Sequence, residues 1–108
     1  MLSFSQIIGS TLSYRITGKL TSSDLTRYYA TVDEAFRSYG RLNLTAEAID
    51  FRGYAGVRAL LLFLRHEPGL IRKVKSYRLY TNQPWLRSSV AALGRLIPGT
   101  AVETGPLP

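Results

Sequence analysis

Hydrophobic and polar positions change period several times along this chain, and each change marks an element boundary. Leu2 to Ile8 and Leu12 to Thr17 are short runs rich in β-branched and aromatic residues, separated by Gly9-Ser10. A glycine beside a small polar residue permits a tight reversal, so the two runs are expected to form a hairpin. After Thr21-Ser22-Ser23-Asp24, whose short oxygens can accept from the free N–H groups of a helix start, the period becomes helical. Leu25, Tyr28, Tyr29, Val32, Phe36 and Tyr39 fall three and four apart and define one apolar stripe, which Gly40 is expected to end as a left-handed cap.

Strict alternation returns at Leu42, Leu44, Ala46 and Ala48, set against Asn43, Thr45 and Glu47, and predicts a strand that closes in Ile49-Asp50-Phe51. Arg52-Gly53-Tyr54-Ala55-Gly56 then reads as a loop into a second helix from Val57 to about His66. Val57, Leu60, Leu61 and Leu64 would form its apolar face, and Pro68-Gly69 its stop. Val74 to Tyr80 is strand-like but polar enough to suit an exposed edge. Pro84 suits the first turn of a third helix, with Asn82 as its cap and Leu86, Val90, Leu93 and Ile97 as its inner stripe. Pro98-Gly99 would end that helix, Thr100 to Thr104 would form a last strand, and residues 105–108 a frayed tail.

The resulting order is ββαβαβαβ. Strands alternating with helices call for right-handed crossovers, hence an α/β fold with a mostly parallel sheet of about five strands and helices packed on it. The first strand, tied by a tight hairpin, must run antiparallel at an edge. A chain of 108 residues is expected to form one domain over residues 1–108.

Composition narrows the chemistry. The chain has no cysteine and one histidine, His66. That removes disulfides, thiolate nucleophiles and cysteine-based metal sites, and a zinc site cannot be assembled from one histidine and scattered carboxylates. No serine or carboxylate is spaced to pair with His66 as nucleophile and base, so no catalytic residue, metal site or cofactor is expected. The glycines of Gly53-Tyr54-Ala55-Gly56 match neither a phosphate loop nor a dinucleotide fingerprint. No apolar run approaches the roughly 20 residues that cross a bilayer. The N-terminus has no leader pattern, and a soluble, cytoplasmic protein is the expectation.

Charge is unevenly distributed. Residues 1–51 carry five basic and five acidic side chains, whereas residues 52–108 carry nine basic against two acidic, which is the whole of the net +7. Within that half, Arg72, Lys73, Lys75 and Arg78 interleave charge with Tyr77, a composition used on surfaces that meet anionic lipid, acidic protein or nucleic acid. The same run would also serve as the solvated face of an edge strand.

Three local motifs resemble a known family: Gly18-Lys19-Leu20-Thr21 leading to Asp24, Asp50-Phe51-Arg52-Gly53-Tyr54 at a strand end, and Pro84-Trp85 opening the third helix. Together they resemble the SpoIIAA-like proteins of bacteria, a branch of the STAS fold also likened to CRAL-TRIO lipid-binding domains, over about residues 12–104. The resemblance implies a non-enzymatic binding or regulatory module. In related anti-sigma-factor antagonists the strand-end loop reads Asp, apolar, Ser, Gly, and phosphorylation of the serine breaks partner binding. Here Asp50, Phe51 and Gly53 fit that pattern and Arg52 stands at the serine position, so that switch is not expected. The loop Asp50, Phe51, Arg52, Gly53, Tyr54 is thus a candidate site for a protein partner or small apolar ligand, at the sheet edge where α/β folds place ligands. The purely structural alternative has Asp50 capping the next helix. Trp85 would be either a lid over the core, as expected of an aromatic in a first turn, or an exposed anchor.

Overall fold

The computed structural model describes residues 1–57, 59, 61, 69, 72–96 and 100–107, with backbone alone for 93–96. Its elements are β1 (Leu2–Ile8), β2 (Thr11–Leu20), α1 (Ser22–Tyr39), β3 (Leu42–Tyr54), β4 (Val74–Thr81), α2 (Pro84–Leu96) and β5 (Ala101–Gly105). Between β3 and β4, residues 56, 57, 59, 61, 69, 72 and 73 are helical. The expected helix at Val57 therefore begins where it was placed. Gly69, expected to help stop it, is helical itself, while Leu60, Leu64, His66 and Pro68 lie outside the described residues.

The five strands follow one another in space, β1-β2-β3-β4-β5, with β1 antiparallel to β2 and every later pair parallel. This is the mixed α/β sheet that the alternation of elements predicts. Because the parallel strands advance in one direction, right-handed crossovers carry the intervening helices to the same face. Burial follows that geometry. Leu12 and Tyr14 of β2, Leu42, Leu44, Ala46 and Ala48 of β3, and Val74 and Leu79 of β4 are buried, and they form the core with Leu25, Tyr28, Tyr29 and Val32 of α1. Their strand neighbours Ser13, Arg15, Asn43, Thr45, Glu47, Ser76 and Arg78 alternate onto the opposite face, where none is buried. That face is laced across strands: Arg15 lies 3.9 Å from Glu47, Arg78 lies 3.5 Å from Glu103, and the Ser76 hydroxyl donates to Asn43 Oδ1 at 2.7 Å.

The edge reading of β4 is corrected by this topology. β4 pairs with β3 on one side and β5 on the other, so its polar residues reflect a sheet with one wet face, not an edge. Tyr39, assigned to the apolar stripe of α1, is 60% exposed as the last helical residue. Gly40 has positive φ as expected, but at φ 77 and ψ −145 it lies outside the left-handed helical region. Its N–H still closes on the Phe36 carbonyl at 2.8 Å.

Helix α1 starts as its sequence dictates. Thr21 Oγ1 accepts from the Asp24 N–H at 3.1 Å, while Asp24 Oδ2 accepts from the Thr21 N–H at 3.0 Å, a reciprocal capping box. Burial would raise the Asp24 pKa, but the Thr21 hydrogen bonds, the Met1 ammonium and the Leu2 backbone outweigh it and hold it below the usual carboxylate range. Under the sheet, the Tyr14 hydroxyl meets those of Tyr28 at 3.0 Å and Tyr77 at 3.4 Å. Burial, then the neighbouring tyrosines, push its pKa well above the usual phenol value.

Candidate functional site

The carboxyl end of β3 departs from regular strand geometry twice. Thr17 pairs with Ile49, Gly18 with Phe51 and Leu20 with Tyr54, so β3 carries one extra residue at Asp50 and another before Tyr54. Bulges of this kind re-aim side chains and are common beside functional sites. Asp50 has φ 52, and it is the one non-glycine residue with positive φ among the described residues. The expected loop is consequently different in kind: Arg52, Gly53 and Tyr54 remain in the strand, and the chain leaves it at Ala55, whose N–H donates to the Leu20 carbonyl at 2.8 Å. The reason is that β2 runs on to Leu20 and supplies a ladder partner that the alternation alone does not reveal.

Each side chain follows from that backbone. Asp50 does not cap a helix; its carboxylate accepts from Arg52 at 2.9 Å, with both side chains about two-thirds exposed at 67% and 66%. Phe51 turns inward against the core, and Tyr54 meets its ring edge-on at 5.9 Å. Trp85 stacks on Phe51 with centroids 6.1 Å apart and planes 21° apart. It is 53% exposed, so the lid reading gives way to that of a surface aromatic resting on a half-buried one.

Gln83 joins the two segments, and sequence reasoning passed over it. Its Oε1 accepts from the Phe51 N–H at 2.8 Å and its Nε2 donates to the Phe51 carbonyl at 2.9 Å. β4 pairing with β3 ends at Ala48 and Thr81, so this side-chain amide stands in for the backbone of a longer β4. Gln83 also holds the cap position expected of Asn82: its carbonyl accepts from Leu86 and Arg87, while Asn82 Oδ1 accepts from the Leu107 N–H at 3.1 Å. The signal available was Pro84, which makes the preceding residue the helix boundary. Exposed apolar side chains border the same stretch: Ile49 at 37%, Val57 at 73% and Leu61 at 59%. Val57 and Leu61 were expected to face the core; they face solvent, and Ala59 between them is buried.

The basic run is not brought together. Lys73 contacts Asp33 and sits 5.7 Å over the Phe36 ring on the α1 side, whereas Arg78 pairs with Glu103 on the opposite face. Arg72 is helical, and Lys75 is skipped by the register between Leu42–Val74 and Asn43–Ser76. Contiguity in sequence becomes separation in space because the run spans an element boundary: Arg72 and Lys73 end the helical segment, and Lys75 and Arg78 lie in β4. No cluster of metal-ligating side chains occurs among the described residues.

A family model for SpoIIAA-like proteins matches residues 11–104. The chain belongs to the SpoIIAA-like family. An uncharacterised protein of Shewanella loihica PV-4 with a SpoIIAA-like fold superimposes with a TM-score of 0.73, over 96% of this chain and 83% of that one. Identity is 12%, so the likeness is one of fold. No curated protein matches. Among the described residues, no helix of this SpoIIAA-like chain is long and apolar enough to cross a membrane.

Proposed function

We propose that this SpoIIAA-like domain is a non-enzymatic module that docks a protein partner on the carboxyl end of β3, with Asp50, Arg52, Tyr54 and Trp85 as its contact residues. The observation that carries this reading is the exposed Trp85, clamped in place through Phe51 and Gln83 beside a solvent-facing Asp50–Arg52 pair. A rigid, half-exposed aromatic flanked by charge that can exchange partners is the composition of an interface hot spot. Openness favours a protein over an enclosed apolar ligand, since Asp50 and Arg52 are about two-thirds exposed.

Affinity purification from the native host, with tagged wild type beside Trp85→Ala and Asp50→Ala, tests the proposal. A partner identified by mass spectrometry should be retained by the wild type and lost from both variants, while their circular dichroism is unchanged. A partner held equally by all three would overturn the assignment of this surface. Native mass spectrometry of the same preparations distinguishes a small-molecule adduct from a protein.

A further inference from the structure

Most acidic side chains of the described residues already have a cation. Asp24 meets Arg27, Asp33 meets Lys73, Glu47 faces Arg15, Asp50 holds Arg52 and Glu103 faces Arg78, while Glu34 lies exposed on α1. Among the described arginines and lysines, Lys73 and Arg87 are partly buried and the rest are exposed. Lys73 has its carboxylate, whereas the Arg87 side chain forms no hydrogen bond or ion pair with any described residue. A guanidinium drawn partly out of water without an acceptor costs free energy, and a bound anion offsets that cost.

Arg87 lines a groove of about 290 Å³ together with Pro84, Ser88 and Ala91 of α2 and Thr104 of β5. The packing of α2 creates it. Leu86 and Val90 turn toward the core, which leaves Arg87, Ser88 and the small Ala91 along the flank of the helix. β5 is the last strand in the sheet order, so no further strand closes the groove. Thr104 pairs with the buried Leu79 and shares its face, while Glu103, one residue earlier, is turned to the other face with Arg78. Alternation along β5 thus puts a hydroxyl in the groove and keeps the carboxylate out of it.

We infer that this groove binds a phosphoryl group, with the Arg87 guanidinium across two of its oxygens and the Ser88 and Thr104 hydroxyls donating to the others. The chemistry of the lining selects the class. A planar guanidinium fork matches two phosphoryl oxygens, no carboxylate among the lining residues repels them, and two additional hydroxyl donors suit phosphate better than the two-oxygen carboxylate. The volume lies at the lower end of ligand pockets, about 300 Å³, which fits inorganic phosphate or a small phosphate ester and leaves little room for a nucleotide. Two residues along an α-helix turn by about 200°, so Arg87 points away from Trp85, and this site is independent of the corner formed by Phe51 and Trp85.

Two-dimensional ¹H–¹⁵N NMR of the full chain, in phosphate-free buffer at physiological ionic strength, tests the inference with glycerol 3-phosphate, inorganic phosphate and acetate as probes. Glycerol 3-phosphate should give saturable shifts at the Arg87 Nε–H and at the Ser88 and Thr104 amides. Weaker saturation by inorganic phosphate assigns the site to an ester, and equal or tighter saturation assigns it to the free anion. Arg87→Gln should weaken binding by about tenfold or more, as loss of a charge-assisted hydrogen bond requires, with unchanged circular dichroism. Arg37→Gln removes the same charge from the last turn of α1 and should leave binding unaltered. If Arg87→Gln does not fold, Thr104→Val removes one donor at nearly constant shape and should weaken binding about fivefold. Shifts that do not saturate, that persist unaltered in Arg87→Gln or Thr104→Val, or that acetate reproduces at equal concentration overturn the inference.

Discussion

The Gln83 side-chain amide pairs with both backbone groups of Phe51, at 2.8 and 2.9 Å, as though it were one more residue of β4. The consequence is that a single residue couples the end of β3 to the start of α2 and sets where Trp85 stands.

Removing that clamp should loosen the corner before the rest of the protein. Each partly buried hydrogen bond lost costs of order 0.5–1.5 kcal/mol, so Gln83→Ala should destabilise by about 1–3 kcal/mol. Trp85 is the sole tryptophan, and its fluorescence therefore reports this corner. In a urea titration of Gln83→Ala, fluorescence should change at lower denaturant than circular dichroism. Coincident transitions at the wild-type midpoint would show that the clamp contributes nothing.

Asp50 occupies a left-handed conformation, φ 52, that favours glycine. Asp50→Gly should therefore raise stability, by up to about 1 kcal/mol after the greater entropy of unfolded glycine is allowed for. If the carboxylate serves a partner, the same variant should bind it less well. Thermal unfolding beside the affinity purification measures both effects, and a lower melting temperature would argue against strain at this position.

Alkaline stability should depend on Tyr14. Its folded pKa is raised above the unfolded value, so the stabilisation is fully present below the ordinary tyrosine pKa of about 10 and is lost as pH rises through the folded value. Tyr14→Phe should cost about 1 kcal/mol near neutrality through the lost bond to Tyr28, yet decline less steeply above about pH 10. Urea titrations across that range give the two slopes, which should cross or converge.

At the acid end the sign reverses. The Asp24 pKa is depressed in the folded state, so its contribution is present above the unfolded carboxylate value near 4 and is lost as pH falls toward the folded one. Thr21→Ala removes one arm of the capping box and should cost about 0.5–2 kcal/mol at neutral pH. It should also flatten the acid decline. An unaltered pH profile in Thr21→Ala would assign the depressed pKa to the residue-21 backbone N–H, which the variant keeps, and to the Met1 ammonium.

Local periodicity and boundary residues determined a large part of this protein. The alternation from Leu42 to Ala48, the stripe from Leu25 to Val32 and the Thr21–Asp24 start each encode their element in spacing or capping that acts within a few residues. The order of those elements is enough to imply the parallel sheet. Tertiary structure alone decided what depends on residues distant in sequence. Whether Arg52 to Tyr54 are loop or strand depends on β2 reaching Leu20, and whether β4 is edge or interior depends on β5. Gln83 acquires its role from Phe51, 32 positions earlier. The basic run divides because it crosses from helix into strand: Lys73, still helical, reaches Asp33, while Arg78 within β4 reaches Glu103.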